Sequence, residues 1–328
     1  MNNKDIDRRE FLKRSLKAGI SVALAGAASY ILYDPDGPPP GRKPHEDVNL
    51  PDFSIGKEDG KTICAARGED RKKTLAAAIQ ALGGIGRFVR PGDIVAIKPN
   101  AAFASSPELC ATSHPDLVAE LARLCIGAGA KRVIVIDNPI NDPASCFYLS
   151  GIERAARAAG ADIVMPGQDQ FRSMTLKKGR LIRDWPVFAG PLLKADRLIG
   201  LAPVKSHHRS GASMSMKNWY GLLGGRRNIF HQDIHLIIAE LAQLVRPTLV
   251  ILDGTQVMMT KGPSGGYLSD LKRMDTIIAS CDQVAADSLG AGLLNMKIAD
   301  LPYLAMAEQA GAGTSDYQSL KPVFVNAS

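Results

Sequence analysis

From Thr62 onward the chain alternates short, almost uninterrupted apolar runs with stretches whose apolar residues recur every three or four positions. Few folds accept that alternation. A short run that is apolar on both faces must be covered on both sides, and helices packed on a mainly parallel sheet provide that cover. Residues 63–66 read as the first strand. Asp70 caps a helix reaching Leu82, with Leu75, Ile79 and Leu82 on one stripe and Gly83-Gly84 as its stop. Pro91-Gly92-Asp93 turns into the run 94–97, which ends abruptly in Lys98-Pro99-Asn100. Ser113 and Pro115 open a helix over 113–125, and 132–137 is a strand with Asp137 and Asn138 at its carboxyl end. A helix over 146–159 and a strand over 163–165 repeat the unit. Residues 171–186 read as a β-hairpin turning near Lys178-Gly179. Residues 197–202 form another buried strand, followed by the polar stretch 203–208. A glycine- and methionine-rich loop spans 210–228, long enough to be functional or mobile. A helix over 231–245, strands over 249–253 and 276–280, and helices over 285–294 and 301–309 complete the chain. The expected fold is α/β: a mainly parallel sheet covered by helices, Rossmann-like, in one unit or two lobes, with a cleft at the carboxyl tips of the strands.

Ahead of this domain, Asp7-Arg8-Arg9-Glu10-Phe11-Leu12-Lys13 leads into an apolar segment over 18–33. Adjacent arginines before Phe, Leu and Lys form the twin-arginine export signature. The apolar segment is short for a permanent span and carries the small-residue site Ala25-Gly26-Ala27, so cleavage after Ala27 is expected. Tyr30, Ile31, Leu32 and Tyr33 extend the apolar run, and an uncleaved anchor is the alternative. Residues 34–60 open with a dense series of prolines and glycines that excludes a regular helix or central strand. The chain therefore divides into a signal or anchor (1–33), a tether (34–60) and an α/β domain (61–328). The expected location is the periplasm or another extracytoplasmic space, with the twin-arginine translocase as partner during export and membrane contact only through an uncleaved N-terminus.

The formal net charge of +7 belongs partly to the signal, and aromatic residues make up only 5% of the chain with no nucleic-acid motif beside them, so nucleic acid is not an expected partner. The cysteines, Cys64, Cys110, Cys125, Cys146 and Cys281, are far apart, which removes an iron–sulfur cluster from this chain. As buried core thiols they need no function; in an oxidising compartment one or two disulfides are the alternative, with a thiol left over.

Four polar clusters follow apolar strands: Lys98 with Asn100, Asp137 with Asn138, Lys205 with His207 and His208, and Asp253. In a parallel sheet these tips share one edge, which brings residues distant in sequence together as a candidate site. His207 and His208 are adjacent, so in extended chain only one faces the cleft, and His207 is favoured. His114, beside Pro115, is either a site residue or a polar residue of a first helical turn. Lys217 and Asn218, with Arg226 and Arg227 beyond Gly224-Gly225, offer cations on a flexible backbone, suited to a carboxylate or phosphate. His231 and His235 are four apart and would share a helix face, a spacing compatible with a divalent metal. Asp282 and Asp287 are candidate cation-binding or capping residues, with capping favoured for Asp282. Gly262-Pro263-Ser264-Gly265-Gly266 lacks the Lys-Ser/Thr ending of a phosphate-binding loop, so nucleotide binding does not follow.

Taken together, Ile97-Lys98-Pro99-Asn100, Ala111-Thr112-Ser113-His114-Pro115, Ala202-Pro203-Val204-Lys205-Ser206-His207, Met216-Lys217-Asn218 with Gly221, Arg246-Pro247 before Asp253-Gly254, Gly262-Pro263, and Asp282 through Asp287 resemble the family catalogued as domain of unknown function 362. The resemblance runs from Thr62 to the C-terminus in the same order. It implies the α/β fold and marks Lys98, Asn100, His114, Lys205, His207, Lys217, Asn218, Asp253, Asp282 and Asp287 as recurrent polar positions. Many relatives also carry a ferredoxin-like cysteine-rich segment, which this sequence lacks.

The leading functional expectation is a cleft for a small anionic substrate or cofactor. Lys98, His114, Lys205 and His207 stand as its catalytic candidates, and Asn100, Lys217, Asn218, Arg226, Asp253 and Asp287 as its binding residues. A metal-dependent enzyme using His114, His207, His231 and His235 is the second reading, and a non-catalytic accessory module of an exported redox system the third. Replacing Arg8 and Arg9 by lysine is expected to retain the protein in the cytoplasm on cell fractionation; undiminished export of that variant would contradict the twin-arginine reading.

Overall fold

The computed structural model describes residue 9 and residues 12–21, 49–55 and 62–327. The chain divides into two units, Met1–Glu46 and Asp47–Ser328. In the first, residues 12–21 are helical and exposed. Arg8, the small-residue site at 25–27 and the proline-rich stretch 34–48 lie outside the described residues. Among the described residues, no helix is long and apolar enough to cross a membrane.

In the second unit the apolar runs become strands β1 (Ile63–Arg67), β2 (Ile94–Lys98), β3 (Arg132–Ile136) and β4 (Asp162–Val164). They are followed by a separate antiparallel pair, β5 (Phe171–Met174) and β6 (Trp185–Phe188). Then come β7 (Arg197–His207), β8 (Gly211–Ser213), β9 (Leu249–Met258), β10 (Leu271–Ser280) and β11 (Val323–Asn326). The main sheet has the order β11-β1-β10-β9-β7-β2-β3-β4, with β8 paired to β7. From β9 to β4 every neighbour is parallel, while β10 runs antiparallel to β9 and β1. From β2 the chain moves outward to β3 and β4, then returns to place β7 and β9 on the other side of β2. The junction of β2 with β7 is thus the topological switch point, where ligands bind in open α/β sheets.

Each strand feeds two cores, as alternation on a pleated strand requires. Val95, Ile97, Val133, Val135, Ile199 and Leu201 face one core, while Ala96, Ile134, Ile136, Leu198 and Ala202 face the other. The first core is covered by α1 (Arg71–Ala81), α2 (Pro115–Gly127), α3 (Pro143–Leu149) and α4 (Ile152–Ala158). The second is covered by the short α5 (Ser215–Asn218) and by α6 (Ile234–Leu244), α7 (Gln283–Ala291) and α8 (Pro302–Gln309). Asp70 caps α1 through the amides of Lys72 and Lys73, and Asp282 caps α7 through those of Val284 and Ala285.

Several elements differ from the sequence expectation. The helix over 146–159 is two helices, because Gly151 takes φ 71° between them. The strand from Arg197 continues to His207, since its second half gains β8 as a partner. The edge strand β11 pairs in parallel with β1, and its short, weakly alternating sequence did not announce it. The largest difference is the stretch 210–228. Expected as a loop, functional or mobile, it is a largely buried plug over 212–224, with Met214, Met216, Trp219 and Leu222 at 0% exposure. Its apolar residues lack helical or strand period because they fill a gap between elements.

Glu240 on α6 is 2% exposed and accepts from the backbone amides of Arg180, Leu181 and Ile182, tying the turn ahead of β6 to the second core. Glu240→Ala orphans these donors and is expected to cost about 2–4 kcal/mol in urea denaturation; a loss within experimental error would contradict that assignment.

Candidate functional site: a cation-lined cavity at the switch point

Where β2 and β7 part, side chains from other segments fill the gap. The Asn218 amide donates to the carbonyl oxygens of Lys98 (3.2 Å) and Leu201 (3.4 Å), one on each strand. Ser113 Oγ donates to Leu201 O at 2.8 Å and accepts from the Asn100 amide at 2.8 Å. Lys98 stands at the centre, 1% exposed. Its Nζ reaches Asp137 Oδ1 at 2.7 Å, Pro99 O at 2.8 Å and Asn218 Oδ1 at 3.0 Å. An ammonium has three N–H groups, and all are spent on protein. Burial lowers the Lys98 pKa, with Asp137 opposing the shift. Asp137 is fixed in turn by the amides of Ala101 (2.6 Å) and Asn138 (2.9 Å). Lys98 is therefore the keystone of the site rather than a contact for a ligand.

Beside this ion pair lies a cavity of about 160 Å³, lined among others by Asn100, Phe103, Lys205, His207, Lys217, Tyr220, Arg227 and His231. An engineered cavity of ~150 Å³ accommodates a benzene ring, which sets the scale. Lys205 is 1% exposed, donates to Ala111 O at 2.5 Å and lies 5.2 Å from the Phe103 ring centroid. Burial, reinforced by the neighbouring Lys217 and Lys98, pulls its pKa down to about 7. Lys217 lies over the Tyr220 ring at 5.2 Å, and burial with Arg227 and Lys98 nearby brings it down to about 8. No carboxylate among the described residues pairs with either amine. Arg227 donates to Tyr220 O, Leu223 O and Pro139 O, leaving Nε–H and one Nη2–H uncommitted.

His207 Nδ1 accepts from the amides of Arg209 (3.1 Å) and Ser210 (3.2 Å). The ring proton is consequently on Nε2, and burial with the surrounding cations pushes the pKa down to about 2. His207 is thus a neutral hydrogen-bond donor at Nε2, without a lone pair there for a metal. The His207 ring stacks on His208 (4.8 Å, 12°) and faces His231 (6.3 Å, 21°) in a nearly parallel array.

The structure brings Lys98, Asn100, Lys205, His207, Lys217, Asn218 and His231 to one cavity. Other candidates lie elsewhere. His114 caps α2, with Nδ1 accepting from the Asp116 amide at 3.3 Å. Asp253 is mid-strand in β9, bonded to Thr255 and 3.8 Å from Arg71. Asp287 is 0% exposed inside α7 and accepts from Ser215 N, Ser215 Oγ and Met216 N, anchoring the plug that carries Lys217. Burial raises its pKa to about 7 against these donors. Arg226 is exposed, and its neighbour Arg227 turns into the cavity. His231 and His235 share no face, because residues 227–233 are a 3₁₀ turn ahead of α6. His231 Nδ1 is 3.1 Å from Tyr220 OH, whereas the His235 ring stacks against Tyr303. Among the described residues no group of three His, Cys, Asp or Glu is arranged to hold a metal ion. Cys110 and Cys125 are buried thiols raised to about 11 and about 12 by burial.

Asp137, Tyr220, Gly221 and Arg227 also line the cavity, and so does His208, so that both adjacent histidines face it rather than His207 alone. Asp137 was visible as a strand-tip acid. Tyr220 carried no pattern of its own, and which of the two expected cations, Arg226 or Arg227, enters the cavity depends on how the plug packs.

Fold and cavity together define a mainly parallel α/β protein with a cation-lined crevice at its switch point. Within that class the chain belongs to the family described as domain of unknown function (DUF362), whose model matches residues 95–292. It is 28% identical over 251 residues to the thylakoid-associated protein sll1697 of Synechocystis sp., covering 73% of this chain and 74% of that protein. Among solved structures it is similar to the lactate racemase apoprotein from Thermoanaerobacterium thermosaccharolyticum, with a TM-score of 0.42, 13% identity and coverage of 77% of this chain and 60% of the other. A Thermotoga maritima protein gives a TM-score of 0.39 and 12% identity, covering 70% of this chain and 59% of that one. The chain thus spans under two thirds of the length of either solved structure.

Gly221 presses on the ion pair: an added Cβ would collide with Asp137 Oδ1 and come within 2.7 Å of Lys98 Nζ. Gly221→Ala is expected to break the pair and lower stability by about 3 kcal/mol or more in denaturant titration; wild-type stability in this variant would contradict the keystone role.

Proposed function

We propose that the protein binds a small organic anion in this cavity, outside the cytoplasm, with Lys205 and Lys217 gaining protons as it binds. The carrying observation is the imbalance of charge. Lys205, Lys217 and Arg227 face one small space in which Asp137, the only lining carboxylate among the described residues, is already committed to Lys98. Unspent donors on these groups and on His207 Nε2 suit a carboxylate or phosphate. Lys205, desolvated and flanked by cations, is suited, once protonated, to give a proton to the bound substrate near neutral pH, which makes acid–base chemistry on that anion the favoured activity. The export reading is supported by the order of twin arginines, apolar segment and small-residue site, and the thylakoid association named for the relative accords with it.

The sign of the pH dependence follows from the lowered lysine values. Below about 7 both amines are ammonium ions and attract an anion, and the attraction is lost as pH rises through about 7 for Lys205 and about 8 for Lys217. Calorimetry with oxalate and inorganic phosphate should show affinity falling between these values, with net proton uptake on binding at the upper one. Lys217→Met is expected to weaken binding by about ten- to a hundredfold, the range of a charge-assisted hydrogen bond. Affinity independent of pH, without proton uptake, would overturn the proposal.

A further inference from the structure

A second, larger cavity of about 740 Å³ adjoins the first, and the two share Asn138, Ile140 and Arg227 in their linings. Arg227 is the common wall. Three of its N–H groups bind backbone carbonyls, and two are uncommitted. Asn138 spends its amide Nδ2 on Leu223 O at 2.8 Å, leaving Oδ1 as an acceptor. The outer cavity is walled by Phe171, four prolines, the amide of Gln168 and glycine backbone.

These walls are held in place. Phe171 packs on Phe188 with ring centroids 5.5 Å apart, and the β5–β6 pair is joined to the end of the plug by a bridge between Val187 and Leu223 and by Gly224 N donating to Pro186 O at 2.7 Å. The hairpin outside the main sheet thus has a purpose: it builds a rigid wall, flat at its proline and phenylalanine faces, opposite the cation-lined crevice. Alone, the inner cavity is small for a typical organic ligand. Joined to the outer one it reaches the several hundred cubic ångströms usual for ligand sites.

We propose that the ligand occupies both cavities at once: a carboxylate or phosphate in the inner one, among Lys205, Lys217 and Arg227, carried on a planar ring that lies against Phe171 and the proline walls of the outer one. This rests on the anion-binding reading and adds the ligand's second half. Rigid apolar faces interleaved with amide and peptide groups match a ring bearing a few polar substituents, and the Asn138 amide would select among those substituents.

Isothermal titration of the purified protein with two matched pairs of probes, methyl with phenyl phosphate and acetate with benzoate, tests the inference. Each aryl anion is expected to bind on the order of tenfold tighter than its small partner, given the apolar area a ring buries. Gln168 is exposed, so Gln168→Trp alters the outer cavity without touching the core. It should bring the aryl anions to the level of their partners and leave the small anions unchanged. Equal affinity within both pairs, or an aryl advantage that survives Gln168→Trp, would overturn the inference while leaving the anion reading standing. Failure of all four probes to bind would overturn both.

Discussion

The site depends on one buried ion pair. Lys98 and Asp137, at 2.7 Å and nearly excluded from solvent, close the gap where the strand order reverses. Burying two charges is costly unless each is also fully hydrogen-bonded, and here both are, through Pro99 O, Asn218 and the amides of Ala101 and Asn138. The consequence reaches beyond stability. With Asp137 committed to Lys98, no further carboxylate among the described residues lines the cavity beside Lys205, Lys217 and Arg227, and positive charge is in excess there. The same low-dielectric surroundings that make the pair demanding lower the two lysines toward neutral pH.

A second layer holds the moving parts of this arrangement still. Lys217, Asn218 and Tyr220 all lie on the plug after β8, a segment too short and irregular to be positioned by its own backbone. From α7, Asp287 binds the first amides of that plug, and Gln283 binds Trp219 Nε1 at 2.6 Å while its own amide bonds Ala242 O and Val245 O. Buried polar residues that do not themselves line the cavity thereby set where its cations stand.

Much of this was legible in the sequence. The runs 94–97, 132–136 and 197–202 read as strands because burial on both faces leaves a continuous apolar signature, and their polar ends pointed to Lys98, Asp137 and Lys205 without any structure. What escaped reading is what local pattern does not encode. Met214, Met216 and Trp219 look like a loop because a plug has no period, although their burial is complete. Asp253 looked like a strand-tip acid, but β9 continues to Met258, so it sits mid-strand. His231 and His235 have helical spacing yet straddle a change from 3₁₀ to α geometry, and Arg226 differs from Arg227 only in the direction it leaves the chain. Asp287 was read as a site residue; in the structure it acts through the plug.

The desolvated, cation-rich cavity holds two amines that burial and neighbouring cations bring close to neutral pH. NMR titration of isotope-labelled lysine side chains tests it most directly, because each amine reports its own protonation. The account predicts two lysine signals, lost in Lys205→Met and Lys217→Met respectively, titrating at about 7 and about 8 in the free protein and moving upward when the cavity is filled by an anion. Lysines that all titrate near the ordinary ~10.4, with or without anion, would contradict it.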